Sequence, residues 1–189
     1  MAVCIAILSF VSLGATMSAQ PLSESLGAMT SWSAEAQGLL VKTAQAHLRV
    51  VVYSPTILRI RIAKASGDVA AWDNHSFAVV AEPQSGKFTT SENAESITLV
   101  TDAVRLVIRK NPVRVQFLTK NGDLLNEDEP AFGTSWIGHE ITTYKRLLPD
   151  ERFIGLGEKT GNLDKRGSGY TNWNTDAYGY GSGSDPLYG

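Results

Sequence analysis

Ala103-Val104-Arg105-Leu106-Val107-Ile108-Arg109-Lys110-Asn111-Pro112-Val113-Arg114-Val115-Gln116-Phe117-Leu118-Thr119 is the stretch on which the fold turns. Val104, Leu106 and Ile108 alternate with Arg105, Val107 and Arg109, the two-residue period of a strand with one apolar face. Asn111-Pro112 interrupts the pattern, and Val113, Val115 and Phe117 resume it. Asn121-Gly122 then predicts a type I′ hairpin turn, since both central positions of that turn need positive φ. Asp123 to Leu125 would return beside the preceding strand.

The same grammar extends in both directions. Upstream, His47 to Tyr53 is rich in β-branched residues, Ser54-Pro55-Thr56 reads as a turn, and Ile57 to Ile62 alternates again. Leu58, Ile60 and Ile62 fall on one face of that strand and Arg59 and Arg61 on the other, predicting a half-buried antiparallel strand with a wet outer face. Phe77 to Ala81, Lys87 to Thr90 and Ser96 to Thr101 are further strand candidates, with a turn at Pro83 to Gly86. Downstream, Glu127-Asp128-Glu129-Pro130 reads as a solvated acidic turn, and His139 to Leu148 as a strand or strand pair. No segment carries a convincing helical stripe. Many short alternating strands without helices between them predict an all-β fold, an antiparallel β-sandwich.

The totals narrow the functional classes. The chain has 189 residues, with 17 basic against 19 acidic side chains, and a hydrophobic content of 43%. That length suits one large domain or one domain plus appendages, with enough apolar residues for a sizeable core. A near-neutral balance without a basic cluster leaves no electrostatic footprint for nucleic acid. Cys4 is the only cysteine and lies in the apolar start, so a disulfide framework, a cysteine-ligated zinc site and cysteine nucleophile chemistry are excluded. His47, His75 and His139 are scattered without ligand spacing. No metal and no cofactor is expected.

Ala2 to Ala15 is apolar or small throughout, and Met17-Ser18-Ala19 offers small residues suited to signal-peptidase cleavage. The run is shorter than the roughly 20 residues a membrane span needs and suits the apolar core of a signal peptide. No Lys or Arg precedes Lys42, so the basic leader of such a peptide is missing, and the true start is expected to lie upstream of Met1. The reading gives residues 1–19 as a signal peptide and a secreted or periplasmic protein, with no membrane association after cleavage. Residues 20–45 are rich in Ser, Ala and Gly and read as a linker or leading strand. Residues 46–151 read as the sandwich, and 152–189 as a loop region of the same domain.

That last region departs from strand grammar. It interleaves glycine, aromatic and hydrogen-bonding residues with almost no aliphatic periodicity, a mixture suited to a long loop that lays polar groups and flat rings against a ligand. Gly155-x-Gly157-x-x-x-Gly161 lacks the spacing and the following helix of a dinucleotide fingerprint. Glu158, Asp164, Asp176 and Asp185 admit three readings: ordinary loop packing, with ion pairs of Glu158 to Lys159 or of Asp164 to Lys165 and Arg166; a sugar-contacting loop; or a pair of carboxylates for glycoside hydrolysis.

A resemblance weighs between them. Arg152-Phe153-Ile154-Gly155-Leu156-Gly157-Glu158-Lys159-Thr160-Gly161, Asp164-Lys165-Arg166-Gly167, Trp173-Asn174-Thr175-Asp176-Ala177-Tyr178-Gly179-Tyr180 and Asp185-Pro186-Leu187-Tyr188 resemble, in that order, glycoside hydrolase family 31, the α-glucosidase and α-xylosidase family. The resemblance implies a galactose mutarotase-like β-sandwich standing before a (β/α)8 barrel, which carries the nucleophile and the acid/base of a retaining mechanism. It implies that Asp176 contacts sugar hydroxyls, with Trp173 and Asn174 beside it, while Gly155, Gly157, Glu158 and Arg166 shape the loop. It further implies partners in an α-linked oligosaccharide or glycoside and in the catalytic barrel of the same enzyme. Both catalytic aspartates would fall beyond Gly189, and so would the last sandwich strands. The expectation is therefore a fragment that contributes substrate-site architecture without chemistry; a free-standing carbohydrate-binding module is the alternative.

Overall fold

The computed structural model describes residues 23–66, 78–157 and 161–172. Within them lie twelve strands and no helix: β1 (Glu24–Ser25), β2 (Met29–Glu35), β3 (Gly38–Thr43), β4 (Ala46–Ser54), β5 (Ile57–Lys64), β6 (Thr89–Glu92), β7 (Ser96–Val100), β8 (Val104–Lys110), β9 (Val113–Thr119), β10 (Leu124–Glu127), β11 (Thr134–Ile137) and β12 (Glu140–Thr143). They form a four-stranded sheet ordered β2-β3-β4-β5, a five-stranded sheet ordered β10-β9-β8-β7-β6, and a small sheet ordered β1-β11-β12. Every strand pairing is antiparallel. The architecture is the expected all-β sandwich.

Register explains why these sequences hold together. Across the first sheet Leu39 stands opposite Val50 and Val50 opposite Ile60, while Val41, Leu48 and Ile62 form the next row. Across the second, Ile97, Ile108 and Val115 make one row and Leu99, Leu106 and Phe117 another. Members of both sheets belong to one buried cluster, which Leu26 and Trp136 of the small sheet's side also join. Each fully buried aliphatic side chain stabilises by about 1.5–3 kcal/mol relative to exposure. A slip of one residue would turn a whole row to solvent, so the alternation itself fixes the register.

Several expectations need correction. The described part of residues 20–45, from 23 onward, is not a linker or single leading strand: β2 and β3 occupy most of it, and β3 buries Leu39 and Val41 at the centre of the first sheet. Small and polar residues on β2, an edge strand exposed at most positions, hid it from a reading by apolar runs. The candidate strand at Phe77 to Ala81 begins outside the described residues, and its described part, 78–81, contains no strand. β6 starts two residues later than expected, at Thr89, and β11 was not foreseen at all. The face of β5 bearing Arg59 and Arg61 is half-buried rather than wet, and Arg59 reaches the Tyr53 hydroxyl at 3.4 Å.

Two turns differ in their physics. Asn121 does not adopt positive φ; only Gly122 does, at 102°. The Gly122 N–H donates to the Thr119 carbonyl at 3.0 Å and the Thr119 N–H to the Asp123 carbonyl at 2.8 Å. This closes a three-residue loop with glycine at its positive-φ corner instead of a type I′ turn. The Glu127-Asp128 pair, expected in solvent, is buried. Asp128 accepts from the Val115 N–H at 2.8 Å and from Lys145 at 2.6 Å, and Glu127 from Gln116 at 3.1 Å and Arg146 at 2.8 Å. Buried carboxylates need such partners. Here they clamp the chain that leads out of β12 onto the sandwich.

Candidate functional site

That clamped chain enters the region singled out by its glycines and aromatics. Leu148 and Glu151 start it with a tight turn: the Glu151 N–H donates to the Leu148 carbonyl at 3.2 Å, and the Glu151 carboxylate accepts from the Leu148 N–H at 3.1 Å. Across this turn stands Arg166, whose guanidinium donates to the carbonyls of Leu148 at 2.7 Å, Pro149 at 3.1 Å and Glu151 at 2.7 Å. All three carbonyls converge on one terminal nitrogen, Nη1, whose two hydrogens are shared among them.

Asp164 supplies the complementary half. Its carboxylate accepts from its near neighbour, the Arg166 N–H, at 3.0 Å and from the Phe153 N–H at 3.1 Å, and it pairs with Arg152 at 3.3 Å. Those two main-chain hydrogen bonds, with the Arg152 charge as a smaller cause, hold the Asp164 carboxyl below the ordinary aspartate range. The Lys165 N–H donates to the Phe153 carbonyl at 2.8 Å. The Lys165 side chain is buried, with its ammonium 5.4 Å from the ring centre of Tyr170. The 148–154 and 164–170 segments are thereby joined without a strand or helix.

Gly155 and Gly157 adopt φ of 113° and 76°, and between them Leu156 holds φ of 69°, the one described non-glycine residue at positive φ. Such a leucine is a true outlier, since its Cβ meets the following carbonyl. The backbone thus turns sharply directly before residues 158–160, which lie outside the described residues with Glu158. Trp173, Asn174 and Asp176 lie outside them also. Of the readings open to Asp164, its place is in loop packing, but not as an ion pair with Lys165 or Arg166: it bonds to Arg166 through the main chain and pairs with Arg152, twelve residues away. An aspartate two residues before its main-chain donor is an Asx turn, a signal legible in the sequence.

Two clefts of the sandwich are lined by none of the described residues of this loop. One of about 330 Å³ opens between β5 and β9, lined by Leu58, Ile60, Ile62, Phe117, Asp128 and Lys145 among others. A shallow one of about 640 Å³ lies near Pro55, Phe88 and Lys120. Among the described residues no group of three or more His, Cys, Asp or Glu side chains stands close enough to hold a metal ion.

Comparison with known proteins gives a consistent picture. The family model described as the glycosyl hydrolase 31 N-terminal galactose mutarotase-like domain matches residues 47–189. An α-glucosidase 2 of Bacillus thermoamyloliquefaciens is 38% identical over 115 residues, which are 60% of this chain and 14% of that protein. A GH31 dextranase of Flavobacterium johnsoniae, solved with isomaltotriose and with glucose, superposes on 86% of this chain and 20% of its own, with a TM-score of 0.76 and 34% identity. A cycloalternan-forming enzyme of Listeria monocytogenes, solved with a pentasaccharide, shares the fold at a TM-score of 0.63 and 19% identity, over 82% of this chain and 15% of its own. The chain thus spans a fifth or less of the length of these relatives.

Proposed function

Because this chain belongs to the family of glycosyl hydrolase 31 N-terminal galactose mutarotase-like domains, we propose that it is the substrate-site sandwich of a retaining α-glycosidase, acting on α-glucosides or α-xylosides in the full-length enzyme. It contributes a sugar-contacting loop and leaves bond cleavage to aspartates of the catalytic barrel. Within the loop, Asp176 accepts hydrogen bonds from sugar hydroxyls, and Trp173 and Asn174 flank it. Gly155, Gly157, Glu158 and Arg166 shape the approach.

The observation that carries this reading is the tie of Arg166 and Asp164 to the 148–153 turn. A loop fixed by its own main chain can hold the residues that follow in place before a ligand arrives, which lowers the ordering cost of binding. The names of the relatives, an α-glucosidase and a dextranase seen with isomaltotriose, support an α-glucan as the ligand.

The test is titration of the purified chain with isomaltotriose beside an assay on aryl α-glucosides and α-xylosides. Half of a site gives no turnover and binding too weak to saturate. Turnover that vanishes in Asp176→Ala would sink the reading, and saturable binding would favour a self-sufficient carbohydrate-binding module. Export follows from the apolar Ala2 to Ala15 run with Met17-Ser18-Ala19 behind it. N-terminal sequencing of the protein from a host's exported fraction should begin near Gln20.

A further inference from the structure

Phe132 and Tyr144 flank the small sheet's hairpin, Phe132 shortly before β11 and Tyr144 directly after β12. Their rings meet, with centres 5.2 Å apart and planes tilted by 43°. Phe132 is nevertheless 61% exposed and Tyr144 46%, and neither belongs to the buried core. The backbone that carries them is tied down. The Tyr144 N–H donates to the Gly133 carbonyl at 2.8 Å, the Glu129 N–H to the Tyr144 carbonyl at 3.0 Å and the Gly133 N–H to the Glu129 carbonyl at 3.0 Å. The Glu129 carboxylate accepts from the N–H groups of Ala131 at 2.8 Å and Phe132 at 2.7 Å. Buried Arg114 donates to the carbonyls of Pro130 and Ala131, both at 3.0 Å, and stands so close to Gly133 that a Cβ there would meet its guanidinium at 2.7 Å.

Two touching aromatic rings, held to the surface by an ordered backbone and left largely in water, have the properties of a recognition platform. We propose that Phe132 and Tyr144 form a carbohydrate-binding platform outside the 152–189 loop, stacking on the C–H faces of neighbouring sugars in an α-glucan. The inference rests on the function proposed above for the α-linkage, whereas the platform itself rests on the ring pair. The occupant follows from shape and size. A pyranose ring has an apolar C–H face that lies flat on an aromatic ring, and the Tyr144 hydroxyl can exchange a hydrogen bond with the sugar's own. The tilt between the rings suits a chain whose successive sugars turn relative to one another, as α-linkages turn them. Two rings bury together about 300–500 Å², short of the roughly 800 Å² per partner of a stable protein interface. One such platform binds too weakly for isomaltotriose to saturate it, but a polymer presents the same sugar many times over and raises its local concentration.

The experiment is native electrophoresis of the full chain through gels containing dextran, with hydroxyethylcellulose as the β-linked comparison. Dextran should retard the chain, and the pair Phe132→Leu and Tyr144→Leu, which keeps apolar bulk but removes both rings, should weaken the apparent affinity about tenfold. Asp176→Ala should be retarded like the unaltered chain. Phe132→Trp, which widens the flat face, should be retarded at least as strongly, and weaker retardation of that variant overturns the proposal even where the leucine pair fails to fold. Retardation that survives the leucine pair in a folded chain, or that Asp176→Ala abolishes, overturns the platform and leaves the loop's role standing. So does a chain that neither polymer retards, including one that forms dimers which the leucine pair dissolves, since the rings then serve a protein contact. Retardation by hydroxyethylcellulose and not by dextran overturns the α-glucan assignment and the functional reading beneath it.

Discussion

Two arginines solve the same problem at different depths. Arg166 gathers the carbonyls of Leu148, Pro149 and Glu151 in a partly exposed loop. Arg114 is buried and donates to the carbonyls of Val113 at 2.8 Å, Pro130 at 3.0 Å and Ala131 at 3.0 Å. Replacing the buried one leaves three carbonyls short of partners, so Arg114→Met should cost about 2–4 kcal/mol in urea unfolding. Arg166→Met should change global stability far less, and show instead as faster amide exchange at Glu151 and Phe153. The carboxylate opposite has a pH signature. The ordinary aspartate value is 3.8 and that of Asp164 is lowered, so its contribution to loop order is complete above 3.8 and is lost as pH falls through the lowered value. Side-chain NMR of Asp164 should titrate below 3.8 together with the Phe153 and Arg166 amide shifts, and Asp164→Asn should abolish that coupled transition while other carboxyls titrate as before.

At the level of elements, the β9–β10 turn separates two chemistries that look alike in sequence. In a type I′ turn both Asn121 and Gly122 would need positive φ; here Gly122 alone has it. Asn121→Ala should therefore change stability by less than about 0.5 kcal/mol, whereas Gly122→Ala should cost about 1 kcal/mol or more, since alanine strains where glycine rests. Equal losses at both positions, read by thermal unfolding, would restore the type I′ reading. The edge and small-sheet strands teach a related lesson. β11 carries Trp136, which is buried, joins the core and donates to Glu24 on β1 at 2.9 Å. Its four residues, Thr134 to Ile137, are too few to show a period; β12 pairs with it across the short Gly138-His139 turn, but its other partner, β1, stands at the far end of the described chain, where local reading had nothing to count.

For the molecule as a whole, the core joins both large sheets, and it should melt as one. Leu106, fully buried in the middle of the second sheet, should cost about 2–5 kcal/mol when cut to alanine. The far-ultraviolet and near-ultraviolet transitions should still coincide; transitions that separate would mean that the sheets unfold independently. The sandwich was legible because its central strands alternate without interruption, as in Val104 to Ile108 and Leu58 to Ile62. The buried acidic pair Glu127-Asp128 was not, because a carboxylate in a Pro-flanked turn reads as solvated until its cations are in place. Those cations, Lys145 and Arg146, come from beyond β12.

The same division runs through the functional region. Sequence alone determined the strand period, the class of fold and the ordered glycine-aromatic blocks that tie the chain to its family, since each is written in neighbouring residues. Only the tertiary structure decided that Asp164 reaches back to Phe153 and Arg152, that Arg166 covers a turn fifteen and more residues upstream, and that the rings of Phe132 and Tyr144 meet in water. The reason is physical: hydrogen-bond partners and solvent exposure are properties of positions in space, and a chain that turns back on itself brings together residues whose separation in sequence carries no record of the contact.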